Sequence, residues 1–487
     1  MGRRAFAALL ATLAVVTGAC SATSGSTLKR ERTGTVDWRP CDTVECGSLV
    51  VPLDAAHPTG AQITLALARL PSAGKRVGVL FTNPGGPGGS GVEFLRSAAD
   101  VFPAEIRDAF DIVSWDPRGV GGSSPVQCDD ELDAFYAVDR DPTTAAGVAS
   151  NVAAAHALVD SCRRRSAAIL PYLSTAASAS DLDAIRAAMG LEQITYVGFS
   201  YGTLLGALYA DRFPGHVRAM VLDGAIDPAR SYAQSTIEQA KSFDDDLAAF
   251  FDHCRNDSSC AFARGGDPAQ AFGDLTRTIR GETEPATVDG EHRTLGPGEL
   301  DIAVASALYA GTAGYDELAR GLAQAASGTG DRLLALADDY TGRKLGGKYT
   351  NETAALYAIG CIDGPAPTTT AAVQQLAIRA ARVAPHFGPS TVWLGLPCTF
   401  WPVSPEGRYV AIHARGAPPI VVVGTTHDPA TPYAWAKSLA SELTSGVLLT
   451  SAGVTHTSYG RGDACVDGAV DHYLLRLVPP AAETQCA

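Results

Sequence analysis

No stretch of lysine and arginine long enough to form a basic stripe occurs in this chain of 487 residues, where 38 basic residues meet 52 acidic ones for a net charge of −14. Phosphate backbones are bound by basic faces, so nucleic acid is excluded as a partner. The cluster Arg163-Arg164-Arg165 is short and reads as solvated helix surface. Long apolar runs are also missing. The N-terminal run from Ala5 to Val16 falls far short of the ~20 residues that span a bilayer core. With no C-x-x-C pair and no H-x-x-x-H cluster, the common zinc sites are excluded, and neither a metal nor another cofactor is expected. Internal repeats are lacking too. What is present is 46% hydrophobic and 18% charged residues, a globular composition long enough for a domain of about 250–300 residues plus an insertion.

The N-terminus, MGRRAFAALLATLAVVTGACSATSG, has two arginines, an apolar run and small residues, the layout of an export signal over residues 1–19. Its Gly18-Ala19-Cys20 ending resembles a lipobox, which would lipidate Cys20 and make that lipid the only membrane attachment. A plain secretory signal cut nearby is the alternative. Residues 20–35 are small and polar, as in a flexible tether. Setting Cys20 aside leaves ten cysteines, an even number suited to disulfides in an oxidising compartment. Nearest-neighbour pairing gives Cys41–Cys46, Cys128–Cys162, Cys254–Cys260, Cys361–Cys398 and Cys465–Cys486.

From Val36 to about residue 229, strand-like and helix-like segments alternate. Strands are predicted at Gln62 to Arg69, Val77 to Thr82, Phe110 to Trp115, Ile194 to Val197 and Val217 to Asp223, and helices at about 145–165 and 178–189. Such alternation specifies a mostly parallel sheet covered on both faces. Residues 230–391 are alanine-rich and read as a helical cap insertion. Strand signals return in residues 392–487, at Pro418 to Gly424 and Val447 to Ser451, before a closing helix at 466–477.

Within ITYVGFSYGTLLGALY, a β-branched run gives way to a leucine- and alanine-rich one across Gly198-Phe199-Ser200-Tyr201-Gly202. A serine between two glycines on a strand-to-helix corner is the nucleophile elbow. A serine hydroxyl needs a base, and the base needs an acid that holds its tautomer. In the elbow-bearing fold both follow the serine on loops beyond strands. His456, in VLLTSAGVTHTSYG, and Asp428, in VVVGTTHDPATP, meet that requirement. The following Thr431-Pro432 reads as the start of a helix. Oxyanion donors are expected from the Tyr201 N–H and from the loop FTNPGGPGGSG, with Gly86 first and Gly85 next. That loop lacks the G-K-[ST] of a phosphate cradle.

NPGGPGGSG at 83–91, SWDPRGVGGSSP at 114–125, GFSYGT at 198–203, LDGAIDP at 222–228, Cys361-Ile-Asp-Gly, DPATP at 428–432 and His456 together resemble the secreted tripeptidyl aminopeptidases of actinobacteria. Those are α/β-hydrolase serine peptidases related to proline iminopeptidases, and the likeness covers nearly the whole chain after the tether. It implies the α/β-hydrolase fold, a triad of Ser200, Asp428 and His456, a peptide substrate and no cofactor, and a monomer is expected. It also implies that Asp116 and Arg118 pair beneath the oxyanion loop. An exopeptidase must bind a free amine, for which Asp227, Asp244 and Asp363 are the candidates at the edge of the insertion. Rival readings are an esterase, lipase or endopeptidase on the same triad, and a non-catalytic surface binding lipoprotein. No strongly apolar lid and no missing triad member favours them.

Overall fold

The computed structural model describes residues 35–97, 99–128, 132–262 and 266–487. The export signal, most of the tether and Cys20 lie outside the described residues. The chain opens with β1 (Arg39–Cys41), β2 (Val44–Pro52), β3 (Gln62–Leu70), β4 (Gly78–Asn83), β5 (Phe110–Trp115), β6 (Ile194–Phe199) and β7 (Val217–Asp223). A long insertion follows, with two short strand pairs, β8 (Glu284–Val288) with β9 (Glu291–Leu295) and β10 (Arg343–Lys344) with β11 (Lys348–Tyr349). The chain then returns through β12 (Ile420–Thr425), β13 (Gly446–Ser451) and β14 (Thr484–Cys486).

One ten-stranded sheet runs β1-β2-β3-β5-β4-β6-β7-β12-β13-β14. The β1–β2, β2–β3 and β3–β5 pairs are antiparallel, and the remainder from β5 to β14 are parallel. The central strands are buried at nearly every position, and mostly apolar, because helices cover both faces. Their alternation divides two cores. Val79, Phe81, Tyr196, Met220 and Val422 enter one, while Leu80, Val197, Phe199, Val221 and Val423 enter the other. The predicted helices are present as Ala145–Ser166, Thr175–Ala188 and Ala464–Arg476.

The insertion departs from its all-helical reading. Its helices include Tyr232–Asn256, Pro297–Tyr309, Glu352–Asp363 and Phe387–Leu394, but β8 and β9 form a hairpin turned at Asp289-Gly290, both with positive φ. Helical structure also continues past residue 391, and the sheet resumes only at Ile420. The insertion has an apolar core of its own, built around Phe243, Leu247, Phe250, Leu300, Val304 and Leu322. The ten described cysteines form five disulfides, Cys41–Cys46, Cys128–Cys162, Cys254–Cys260, Cys361–Cys398 and Cys465–Cys486. Among the described residues no helix is long and apolar enough to cross a membrane.

Candidate active site

Ser200 stands between β6 and the helix Tyr201–Arg212 with φ 53° and ψ −123°, a conformation that L-residues avoid. It is held there by its own N–H, which donates to the Asp223 carbonyl at 2.9 Å, and by its carbonyl, which accepts from the Thr203 hydroxyl at 2.6 Å. A Cβ on Gly198 would run into the Gly202 carbonyl, and one on Gly202 would sit 2.6 Å from the Asn83 carbonyl. The two glycines thus let strand, helix and the neighbouring β4 end converge on one corner.

Asp428 follows β12 and is 1% exposed. Its Oδ1 accepts the N–H groups of Ala430 at 2.8 Å and Thr431 at 2.9 Å, and its Oδ2 accepts the Thr431 hydroxyl at 2.7 Å. Thr431 therefore serves the carboxylate rather than capping a helix. The helix that follows, Tyr433–Glu442, has no side-chain cap. His456, on the loop after β13, brings Nδ1 to 2.9 Å from Oδ1 and 3.0 Å from Oδ2. A buried carboxylate at Nδ1 keeps a proton there and leaves Nε2 as the basic nitrogen. That Nε2 is buried and holds no hydrogen bond. Serine and histidine converge on the turn after β7, where a Cβ on Gly224 would lie 3.2 Å from His456 Cε1. The serine–histidine hydrogen bond is not formed here, which is common before a substrate binds.

Two groups that the sequence did not single out fix this histidine. Asp223 is fully buried at the end of β7 and accepts the N–H groups of Ser458 and Tyr459, anchoring the loop just past His456. Burial pushes its carboxyl up to about 6. Tyr309, at the end of a helix of the insertion, meets the His456 ring edge-to-face at 5.2 Å, and its carbonyl accepts the His456 N–H at 3.4 Å. The acidic end of a buried strand was a visible signal for the first. For Tyr309 there was none, since its partner lies 147 positions away in the chain.

The loop after β4 packs on the elbow. A Cβ on Gly85 would lie 2.9 Å from Ser200 Cβ and 3.2 Å from the Tyr201 nitrogen, and Gly85 has φ 104°. Its N–H donates to Asn83 Oδ1 at 3.0 Å and is not available to a substrate. The Gly86 N–H finds no acceptor among the described residues. Gly88 rests on the insertion, where a Cβ would meet the Glu352 carbonyl and, at 3.1 Å, the Leu356 nitrogen. Asp116 ties the far end of the loop through Ser90 Oγ at 2.6 Å and the Val92 N–H at 3.1 Å. It does not pair with Arg118, whose guanidinium instead clasps the buried Asp181 at 2.7 and 2.8 Å.

The three amine candidates are engaged elsewhere. Asp227 pairs with Arg230 at 3.0 Å. Asp244 accepts the N–H groups of His386 and Phe387 at the start of the helix Phe387–Leu394. Asp363 accepts the N–H and hydroxyl of Thr175, whose Oγ1 also lies 2.5 Å from the Tyr201 hydroxyl. Each satisfies a local backbone or side-chain donor, the commonest fate of a buried carboxylate.

A strained serine on a strand-to-helix corner, an aspartate–histidine pair on later loops and a glycine loop beside them define a serine hydrolase of the α/β-hydrolase class. Family models agree: the alpha/beta hydrolase fold matches residues 78–263, and the TAP-like protein matches residues 384–486. The serine protease Hip1 of Mycobacterium tuberculosis is 36% identical over 475 residues, 93% of this chain and 91% of that protein. The tripeptidyl aminopeptidase of Streptomyces coelicolor is 32% identical over 464 residues, 93% of this chain and 84% of that one. A carboxylesterase B of M. tuberculosis is 38% identical over 462 residues, 91% of this chain and 86% of that one. The chain belongs to the tripeptidyl aminopeptidase-like family of α/β-hydrolase serine peptidases.

Proposed function

We propose that this protein is an exported serine exopeptidase that releases short peptides, tripeptides foremost, from the free N-termini of peptides. In this reading Ser200 Oγ attacks the scissile carbonyl while its proton passes to His456 Nε2, and Asp428 steadies the imidazolium. The Tyr201 and Gly86 N–H groups stabilise the oxyanion. Collapse expels the amine of the remaining peptide, which takes the proton from Nε2 and leaves an acyl-enzyme. Water, deprotonated by the same nitrogen, then releases the short peptide as its acid.

The observation that carries this reading is that the Ser200 N–H bonds the Asp223 carbonyl while the Asp428–His456 pair packs on the adjoining Gly224, with Tyr309 of the insertion against the histidine. A tripeptide anilide with a free amine should be cleaved at least tenfold better in kcat/KM than its N-acetylated twin, and Ser200→Ala should abolish both rates. Equal rates on the pair would favour an endopeptidase, and preference for simple esters would favour the esterase reading. Export is supported by five disulfides and the N-terminal leader pattern. If Cys20 carries a lipid, Cys20→Ser should move the protein from the membrane fraction to the medium; a protein already soluble leaves the plain secretory signal.

A further inference from the structure

Beside Tyr309 the insertion, together with Tyr136 and Arg140, lines a partly open cavity of about 120 Å3. One stripe of the helix Pro297–Tyr309 lines it from end to end: Gly298, Asp301, Ile302, Ala305 and Tyr309 recur at spacings of three and four. Phe243 and Phe387 close the opposite side. Tyr309 touches the His456 ring, and Asp301 lies about two turns before it on the same stripe. Eight residues of helix separate the two, about 12 Å at 1.5 Å per residue. Three residues of extended peptide cover about 10–11 Å.

Charge points the same way. Arg280, whose charge acts on Asp301, already pairs with Asp141 at 3.1 Å and Asp139 at 3.6 Å. Arg140, which also lines the cavity, donates to Asn151 Oδ1 and the Phe135 carbonyl, neutral acceptors that leave its charge to the surrounding carboxylates. Asp301 has no ion pair within 4.0 Å among the described residues; the Ser390 hydroxyl is its hydrogen-bond partner, and the charges of Arg280 and Arg140 act on it from farther away. Asp139, Asp141 and Asp301 against Arg140 and Arg280 leave this cluster one negative charge in excess, with Asp301 its member on the cavity wall.

We infer that this slot receives the N-terminal residue of the substrate peptide, with the Asp301 carboxylate binding its ammonium and the Phe243, Ile302 and Phe387 side chains favouring an apolar residue there. The inference rests on the exopeptidase reading above and names its amine site. The carboxylate lies too far from His456 to hold the amine of a single residue next to the scissile bond, so it selects release of several residues at once. In the empty slot burial pushes the Asp301 carboxyl up to about 7, and an arriving ammonium restores its charge.

The test compares three proteins, wild type, Asp301→Asn and Asp301→Glu, on a tripeptide anilide with leucine first, its N-acetylated twin, and p-nitrophenyl acetate. Turnover of the small ester counts competent sites and separates misfolding from lost recognition. Asp301→Asn should lose at least tenfold in kcat/KM on the free-amine substrate, mostly through KM. The acetylated twin should be unchanged per competent site, and Asp301→Glu should recover part of the preference. A wild type that prefers the free amine alongside an Asp301→Asn variant with the same preference overturns the slot while leaving the exopeptidase standing. A wild type indifferent to the amine overturns both.

Discussion

Replacing Asp428 by asparagine changes one atom, and the surroundings dictate how the new amide must lie. Oδ1 receives two backbone N–H groups, from Ala430 and Thr431, so the amide oxygen has to stay there. The NH2 group then takes the Oδ2 position, where the Thr431 hydroxyl can turn to accept from it and where His456 Nδ1 lies at 3.0 Å. Nδ1 then faces this donor at 3.0 Å beside the retained oxygen at 2.9 Å, and by accepting from the NH2 group it sends the imidazole proton to Nε2. The base then has no lone pair for Ser200. Loss of the correct tautomer in such triads costs about 10⁴ in kcat, or about 5.4 kcal/mol at 1.36 kcal/mol per decade. Folding should suffer by only about 1–2 kcal/mol, since every other hydrogen bond of the carboxylate is retained by the amide. The assay is pre-steady-state release of p-nitrophenol from an activated ester, paired with thermal unfolding of the same sample. Acylation within tenfold of wild type by a correctly folded Asp428→Asn protein would refute the assignment of the acid.

At the oxyanion loop, Gly85→Ala forces a side chain onto a residue with φ 104° and pushes a Cβ to 2.7 Å from the Phe199 carbonyl. It should cost roughly a hundredfold in kcat and on the order of 1–3 kcal/mol of stability, read from steady-state kinetics and denaturant melts. An active, undisturbed variant would mean that the loop is not seated on the elbow as described. For Asp223, the folded carboxyl titrates at about 6, above the ~3.9 of an unfolded chain. The folded state therefore holds its proton more tightly, and this group's contribution is full below pH ~4 and is lost as pH rises through 6. Asp223→Asn should remove that slope, worth up to about 3 kcal/mol between pH 4 and 7. If the stability difference between the two proteins is the same at both pH values, the carboxyl is not titrating in that window.

What could be read from the chain follows from where its information is local. The central strands were legible because each is mostly apolar and β-branched, broken only at single positions such as Asp111, Ser114 and Arg218, and candidates for the serine, aspartate and histidine could be named because the elbow motif implies their order and loop positions. Edge strands were not. Within β2, VECGSLVVP mixes polar and apolar residues because only part of it is covered, and β14 is three residues paired to a distant neighbour. The β8–β9 hairpin did carry a local mark, Asp289-Gly290 between two alternating runs, the residue pair that favours a tight hairpin turn. Its alanine-rich surroundings outweighed it. Acidic residues proved hardest, since Asp244 beginning a helix and Asp301 facing a slot differ only in what the folded chain places opposite them.

The helix Glu352–Asp363 touches the oxyanion loop at one end, beneath Gly88, and at the other its Asp363 reaches Tyr201 through Thr175. Tyr309 from another part of the same insertion bears on His456. The insertion is therefore masonry as much as roof. Lifting it as a unit would slacken the donor loop, the nucleophile's neighbour and the base together. Exchanging this insertion between relatives would likewise not transplant selectivity onto an intact engine; it would carry away three of the engine's mountings, and a truncated enzyme lacking it would be inert toward esters as well as peptides.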